Sequence, residues 1–329
     1  MKRMPRRRFL LAASALAAAP LAGPGANAKD PLHIVWLSAG EPASHQVYAD
    51  AFRSGLRELG YQEGQNVKID YRWRGETIKT YRWMASDIVD EKPDVIVVTC
   101  EITARAAMGA TDKIPIVMAA STDPVAHGLV KSLARPGRNV TGLSLNEIEV
   151  VAKRVELLRE VVPKLQRLGA IMPADEPISK VELERLEQLT RASRLQLVSH
   201  RVPGDDFEAA FAAMRKAGVQ GILDYSALSV TFPYQREFTS LAIESRIPVS
   251  YSLREMVEAG GLMSYGPIAR ALFHRAAYYV DRIAKGATPG ELPIEQPTRF
   301  ELAVNLQTAR AIDVVIPPAL RLSADVVIA

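Results

Sequence analysis

Short apolar segments rich in β-branched residues alternate with amphipathic helical stretches along most of the chain. Several of them, such as Val95-Ile96-Val97-Val98, are continuously hydrophobic. Continuous runs suit parallel strands buried on both faces, and the β-α rhythm suits crossover helices between the strands. The pattern therefore predicts an α/β protein with doubly wound parallel sheets and right-handed crossovers. The ten predicted strands are 33–38, 67–73, 95–99, 116–120, 140–145, 168–172, 195–202, 221–225, 248–252 and 262–265.

Ten strands are too many for one compact sheet, and the rhythm divides near residue 145. Ser144-Leu145-Asn146 directly follows a strand, so we expect a crossover there and not a flexible linker. Two α/β lobes would enclose a cleft between their carboxyl edges, which closes on a ligand by hinge motion. We expect lobe 1 at 29–145, completed by about 267–290, lobe 2 at 146–266, hinges near 144–146 and 265–267, and a tail at 291–329 whose strand, 300–305, could join either lobe.

Residues 1–28 have the composition of an export signal. A basic start with Arg6-Arg7-Arg8-Phe9-Leu10 precedes an uncharged apolar run to Ala22, and Ala26-Asn27-Ala28 offers small residues for cleavage. The apolar run would span only about 20 Å as a helix, well short of the roughly 30 Å hydrocarbon layer. The segment predicts a twin-arginine signal peptide removed after Ala28, with the general export route as the alternative.

Removing this leader changes the charge balance. The full chain has a formal charge of +4, but five of its 41 basic residues and none of its acidic residues lie in the leader, which leaves −1. Such a balance gives no reason to expect a nucleic-acid partner. The single cysteine, Cys100, excludes an intramolecular disulfide, and no cysteine follows the leader to carry a lipid anchor. We expect a soluble, monomeric periplasmic protein.

The sequence lacks the common catalytic signatures. It has no Gly-x-Ser-x-Gly, no phosphate-binding Gly-x-x-x-x-Gly-Lys and no Gly-x-Gly-x-x-Gly after a strand. Five histidines lie far apart, which favours isolated surface or strand-end residues over a metal site. Cys100 follows a strand, where we favour a small buried pocket-lining residue over a nucleophile. We expect no enzyme activity, cofactor or metal.

Polar residues instead follow the strand ends. Hydroxyl groups beside helix N-termini suit a carboxylate, an acidic side chain suits an ammonium, and tyrosines can stack on an apolar group. An amino-acid-like ligand fits this mixture. Capping is the alternative for Ser121 and for Asp123-Pro124, and core packing is the alternative for Tyr251. The candidate ligand-binding residues are Ser38, Glu41, Cys100, Ser121, Thr122, Asp123, Ser144, Tyr225, Tyr251 and Tyr265.

The chain is similar to a known family in three stretches, at 121–144, 255–267 and 281–305, and then in Ile316-Pro317-Pro318. Through them the chain resembles the periplasmic substrate-binding components of ABC transporters, in the family that includes tryptophan and tyrosine importer proteins. The resemblance implies a type I periplasmic-binding fold, ligand capture between the lobes and delivery to an inner-membrane permease. The ligand-facing positions that it implies are Ser38, Cys100, Ser121, Asp123, Ser144 and Tyr251.

The leading hypothesis is an exported solute-binding protein that carries a small carboxylate-bearing ligand, amino-acid-like or aromatic, to an ABC permease without catalysis. One alternative is an exported enzyme on the same bilobal fold, with Cys100, Glu101 and Asp123 as reactive groups. A second alternative is a sensory protein that reports a ligand to a membrane receptor.

Overall fold

The computed structural model describes residues 30–73, 78–173, 177–202, 205–225 and 227–329. The export signal predicted for residues 1–28 lies outside this part of the chain. Within the described ranges, no helix combines the length and the apolar character needed to cross a membrane.

The first half of the chain forms a five-stranded, all-parallel sheet with the order β2-β1-β3-β4-β5. Its strands are β1 Leu32–Leu37, β2 Val67–Arg72, β3 Val95–Val98, β4 Ile116–Met118 and β5 Val140–Gly142. The helices between them are α1 Pro42–Glu58, α2 Ile78–Asp90 and α3 Glu101–Ala110. Proline stands at the first position of α1, where its missing N–H costs nothing.

The second sheet has seven strands with the order β12-β11-β10-β9-β8-β6-β7. It is parallel except where β11 runs antiparallel to β10. The strands are β6 Arg167–Pro173, β7 Gln196–Val202, β8 Gly221–Asp224, β9 Val249–Tyr251, β10 Met263–Pro267, β11 Phe300–Asn305 and β12 Val326–Ile328. The α-helices are α4 Glu147–Val161, α5 Pro177–Ala192, α6 Phe207–Lys216, α7 Gln235–Ser245, α8 Arg254–Glu258, α9 Ala269–Ala284, α10 Leu306–Ala311 and α11 Pro318–Ser323. The described residues also form a π-helical turn, Ala227–Thr231, and two 3₁₀ turns, Phe232–Tyr234 and Pro289–Glu291.

Both faces of the first sheet are covered. Ile34 and Trp36 of β1 pack in one core, with residues of α1 and α9. Val35 and Leu37, the alternate residues of the strand, pack in a separate core with residues of α2 and α3. A strand buried on both faces has no room for polar residues, which explains its continuous apolar run. The prediction of an α/β fold with two doubly wound, mainly parallel sheets is confirmed.

Helix α9 packs against α1, although more than 200 residues separate the two in sequence. The close approach depends on Gly55, where an added Cβ would lie 2.3 Å from the backbone oxygen of His274. Tyr48 of α1 stacks on Phe273 of α9 with ring centroids 4.4 Å apart. Helix α9 is therefore part of the structure around the first sheet, although it follows the second sheet's strand β10 in the chain.

Along the described residues, the chain crosses between the sheets three times. The first two crossings follow β5 and β10, and the third follows Glu295, whose N–H donates to the carbonyl of Gly142 at 3.1 Å before the chain enters β11. The Glu295 carbonyl also accepts the Ser144 N–H at 2.9 Å, so the first and third crossings run side by side. Strands β11 and β12 place the C-terminal tail in the second sheet.

Candidate functional site

The carboxyl ends of the strands of the first sheet are joined by hydrogen bonds between their loops. The Ala39 N–H, after β1, donates to the Thr99 hydroxyl, after β3, at 3.0 Å. Ser38 is buried, and its Oγ accepts the Gly40 N–H at 3.1 Å. Glu41 is exposed, and its backbone carbonyl receives the first N–H groups of α1. Ser38 therefore lies inside this edge, whereas Glu41 lies on its rim.

Cys100 occupies the N-cap position of α3 and is completely buried. Thr103 closes the cap, because its Oγ1 accepts the Cys100 N–H at 3.2 Å and donates to the Cys100 carbonyl at 3.0 Å. Burial, assisted by the charge of Glu101, raises the pKa of the Cys100 thiol to about 12. The thiolate is the nucleophilic form of cysteine, so Cys100 is not a reactive thiol at neutral pH.

Ser121, Thr122 and Ser144 come together where β4 and β5 end. The Thr122 N–H donates to the carboxylate of Glu101, and the Ser144 Oγ donates to the Thr122 carbonyl at 3.4 Å. Ser121 is only 1% exposed, and within the described residues its hydroxyl has no hydrogen-bond partner. A buried hydroxyl without a partner is costly to folding. It is therefore a candidate contact for a bound molecule.

The segment after Ser121 forms a turn in the structure, not the helix that a cap at Asp123-Pro124 would begin. The Asp123 Oδ1 still accepts the N–H groups of Val125 and Ala126, at 3.1 and 3.0 Å, so the capping interaction survives without a helix. The second carboxylate oxygen of Asp123 is 2.8 Å from an Nη atom of Arg185 in α5. This ion pair joins the two lobes.

Three buried charged residues, Glu147, Arg154 and Asp224, lie at one edge of the second sheet. The chain reaches this edge directly after the crossing at Ser144. The Arg154 guanidinium donates to Glu147 at 2.5 Å and to the Asp224 carbonyl, at the end of β8, at 2.6 Å. It also donates to the Ser250 carbonyl in β9, so it connects two strand ends with the start of α4. Burial raises the pKa of Glu147 to about 7 and that of Asp224 to about 6. The Asp224 carboxylate accepts the Thr231 hydroxyl at 2.9 Å.

The three candidate tyrosines have different surroundings. Tyr225 is buried, its pKa is raised by burial and by nearby Glu182 and Glu147, and it therefore lies close to the interlobe groups. Tyr251 is fully buried beside Phe238, as expected of a core residue. Tyr265 is half-buried and stacks on Phe300, with ring centroids 6.1 Å apart. Of the three, Tyr225 is placed best to contact a molecule between the lobes.

His45 was expected to be an isolated surface or strand-end histidine, but the structure buries it completely between the lobes. Its ring lies 5.0 Å from that of Phe232, which belongs to the second lobe, and its Nδ1 is 2.9 Å from the Ser44 hydroxyl. The ring fits because residue 40 is glycine: an added Cβ there would lie 1.7 Å from the His45 Nδ1. Burial lowers the pKa of His45 to about 3, so the ring is neutral at physiological pH.

This lowered pKa predicts a pH-dependent stability. The unfolded chain takes up a proton at His45 near pH 6.5, whereas the folded chain does not until about pH 3. Wild-type stability relative to His45→Gln should therefore be constant above about pH 7 and fall by about 1.4 kcal/mol per pH unit below pH 6.5. Urea denaturation of both proteins between pH 7.5 and 4.5 measures this difference. Parallel pH profiles would show that the folded protein protonates His45 readily.

A metal site at this edge has no support in the described residues. Among the described residues, one group of three potential ligands was found: His33, Asp70 and Glu91. His33 lies near the start of β1, so this group is away from the carboxyl edge. Lys68 pairs with Asp70 at 2.6 Å and Arg72 pairs with Glu91, so both carboxylates already have cationic partners.

The sequence predicted that Ser121, Thr122 and Ser144 follow strand ends, and the structure places all three at one edge of the first sheet. Sequence reasoning missed the buried roles of His45, Glu147 and Arg154. A usable signal existed for Glu147, which begins a helix immediately after a crossover. No local signal marks His45 or Arg154, because both lie within amphipathic helices and their partners are distant in sequence.

The model of a family described as ABC transporter substrate binding protein matches residues 40–328. A tyrosine-binding protein of Clostridioides difficile (strain R20291) is 30% identical over 262 residues, which cover 80% of this chain and 75% of that protein.

Two solved structures bear on the arrangement of the lobes. An ABC domain from Streptococcus pneumoniae in complex with L-Trp has a TM-score of 0.79 and 26% identity, covering 91% of this chain and 100% of that one. The ligand-free, open structure of a substrate-binding protein with adhesive properties from Clostridium difficile has a TM-score of 0.63 and 25% identity, covering 91% and 99%. At nearly equal identity, the overall arrangement here is closer to that of the L-Trp complex.

Proposed function

This chain belongs to the family of ABC transporter substrate-binding proteins, and from that premise we propose that it captures an amino-acid-like ligand between its lobes for delivery to an inner-membrane permease. The protein is exported through the signal at residues 1–28, works in the periplasm as a monomer and catalyses no reaction. Ligand capture requires only binding and lobe closure, which suits the absence of catalytic motifs from the sequence.

The observation that carries the ligand assignment is the buried Ser121 hydroxyl, which lacks a partner within the described residues. Together with the Ser38 and Thr122 hydroxyls it offers donors at strand ends, and the carboxylate of an amino acid would satisfy such donors. The names of two relatives, which specify tyrosine binding and an L-Trp complex, support an α-amino acid as the ligand.

The ligand's ammonium group would be held from the second lobe. Asp224 is buried at the end of β8, and its pKa of about 6 leaves it mostly ionised at neutral pH. A cationic group beside it would compensate the cost of burying that charge. Tyr225 follows Asp224 directly and would cover the apolar part of the ligand.

The environment of the proposed reactive groups argues against the exported enzyme. Burial and the charge of Glu101 raise the pKa of the Cys100 thiol, and the Glu101 carboxylate accepts the Thr122 N–H. Asp123 is occupied by two backbone N–H groups and by Arg185. None of the three is an activated nucleophile or a free base in this arrangement.

The ligand assignment is tested by calorimetric titration of the purified protein with L-tyrosine, L-tryptophan and two analogues of tryptophan. Tryptamine lacks the carboxylate and indole-3-propionate lacks the ammonium. We expect binding of at least one amino acid, with both analogues at least about tenfold weaker, because each leaves buried polar groups unpaired. Absence of binding to these and to all other natural amino acids would contradict the assignment.

Ser121→Ala should weaken the binding of that amino acid by about 1–3 kcal/mol, since the ligand would lose a buried hydrogen-bond donor. Ser132→Ala is the matched control: its hydroxyl lies in a loop of the same lobe, where it accepts the Arg135 N–H in an exposed hydrogen bond. Calorimetry should show no change in affinity for the control. Unchanged affinity in Ser121→Ala as well would remove Ser121 from the site.

A further inference from the structure

Helix α5 of the second lobe presents two charged residues to one short segment of the first lobe. Arg185 lies 2.8 Å from Asp123, and Glu182, one helical turn earlier, lies 3.8 Å from His127 Nε2. Residues three apart share a helix face, so the two contacts form side by side. They join segments that the sequence places more than 50 residues apart.

Both contacts are withdrawn from solvent. The side chains of His127 and Glu182 are 1% and 3% exposed, and those of Asp123 and Arg185 are 16% and 29% exposed. By contrast, Arg191 and Glu187 on the same helix are 71% and 46% exposed and 3.8 Å apart. Charges interact more strongly where water screens them less, so the pair between the lobes contributes more than the surface pair.

The first-lobe segment is held by hydrogen bonds within its own lobe. One Asp123 oxygen accepts two backbone N–H groups, which directs the other oxygen toward Arg185. The Arg105 guanidinium donates to the His127 carbonyl at 2.7 Å, and the His127 ring contacts the Thr122 hydroxyl at 3.0 Å. A preorganised partner loses little conformational freedom when the contact forms.

We propose that Asp123, His127, Glu182 and Arg185 form an interlobe latch that stabilises the closed form and sets part of the ligand affinity. The inference rests on the proposed function. The latch contacts exist only when the lobes are together, so they shift the equilibrium between open and closed forms toward the closed form. The apparent affinity of a ligand that binds the closed form rises with the population of that form.

Charge reversal at Arg185 tests the latch. Arg185→Glu places a carboxylate opposite Asp123, so we expect the radius of gyration from small-angle X-ray scattering to increase and the affinity for L-tyrosine or L-tryptophan to fall about tenfold or more. Arg191→Glu makes the same charge change on the same helix away from the latch, and it should change neither quantity. Raising the salt concentration should also increase the wild-type radius and leave that of Arg185→Glu unchanged or smaller.

A second variant distinguishes a latch from a direct ligand contact. Adding Asp123→Arg to Arg185→Glu restores an attractive pair of opposite orientation, and it should recover part of the affinity and the smaller radius. The proposal of a latch is wrong if Arg185→Glu behaves like Arg191→Glu. It is also wrong if Arg185→Glu loses ligand affinity with no change in the radius of gyration. If neither amino acid binds the wild-type protein, the proposed ligand fails, while the radius measurements still decide on the latch.

Discussion

Replacing Arg154 with methionine should lower the free energy of unfolding by about 3–5 kcal/mol. Arg154 is fully buried and is the cationic partner of Glu147, which is itself buried. The variant leaves that carboxyl group without its cation, and it removes the guanidinium donor from the carbonyls of Asp224 and Ser250. Breaking a buried pair on one side is costly because the remaining charge cannot be solvated. Urea denaturation at pH 8, where Glu147 prefers to be ionised, measures the loss.

Lys153→Met is the matched control for this prediction. Lys153 precedes Arg154 in the same helix, but its side chain is 47% exposed and pairs with an exposed Glu156. Its removal should change stability by no more than about 0.5 kcal/mol. The double variant Arg154→Met with Glu147→Leu should recover part of the loss, since no unpaired charge stays buried. A loss below about 1 kcal/mol in the single variant would show that Arg154 is not structurally required.

Gly142→Ala should lower the free energy of unfolding by at least about 3 kcal/mol, combining steric overlap with backbone strain. Gly142 ends β5 with φ +133, which L-residues rarely adopt, and an added Cβ would lie 2.0 Å from the Met118 carbonyl oxygen. The overlapping atom belongs to the backbone of β4, so it cannot move without separating β4 from β5, the edge strand beside it. Thermal and chemical denaturation measure the effect, and L-tryptophan titration measures its consequence for the nearby Ser144.

Gly109→Ala provides the opposite expectation with the same chemical change. Gly109 is an exposed residue of α3, and no atom lies within 4 Å of an added Cβ. Alanine is favoured over glycine in a helix by about 1 kcal/mol, so this variant should be slightly more stable than the wild-type protein. If the two alanine variants are equally stable, the close packing of β5 on β4 is not a constraint.

Local patterns predicted most of the strands, because a parallel strand buried on both faces has a continuous run of hydrophobic residues. Strand β11 matches its predicted range, 300–305, and β3 ends one residue before its predicted end. β5 was predicted to reach residue 145, but it stops at Gly142, where the positive φ turns the chain. Strand β12 was not predicted, because three residues give too short a pattern.

The candidate site was only partly predictable. Ser121, Thr122 and Ser144 follow parallel strands, so topology alone brings them to one edge. Ser121 is not the helix cap that was its alternative role, because Pro124 begins an isolated turn. The histidines illustrate the limit more clearly. His45 and His127 were interpreted as isolated residues because they lie far apart in sequence, yet each is buried at a contact between the lobes.

The sequence by itself determined the α/β class, the division into two sheets and the concentration of polar groups at strand ends. These properties depend on hydrophobic periodicity and on chain direction, which neighbouring residues already define. Only the tertiary structure decided that α9 packs on α1, that the tail joins the second sheet and that Arg154 connects two strand ends. It also decided that α5 meets the segment from Asp123 to His127, because such contacts depend on distances between residues remote in sequence, which no local pattern records.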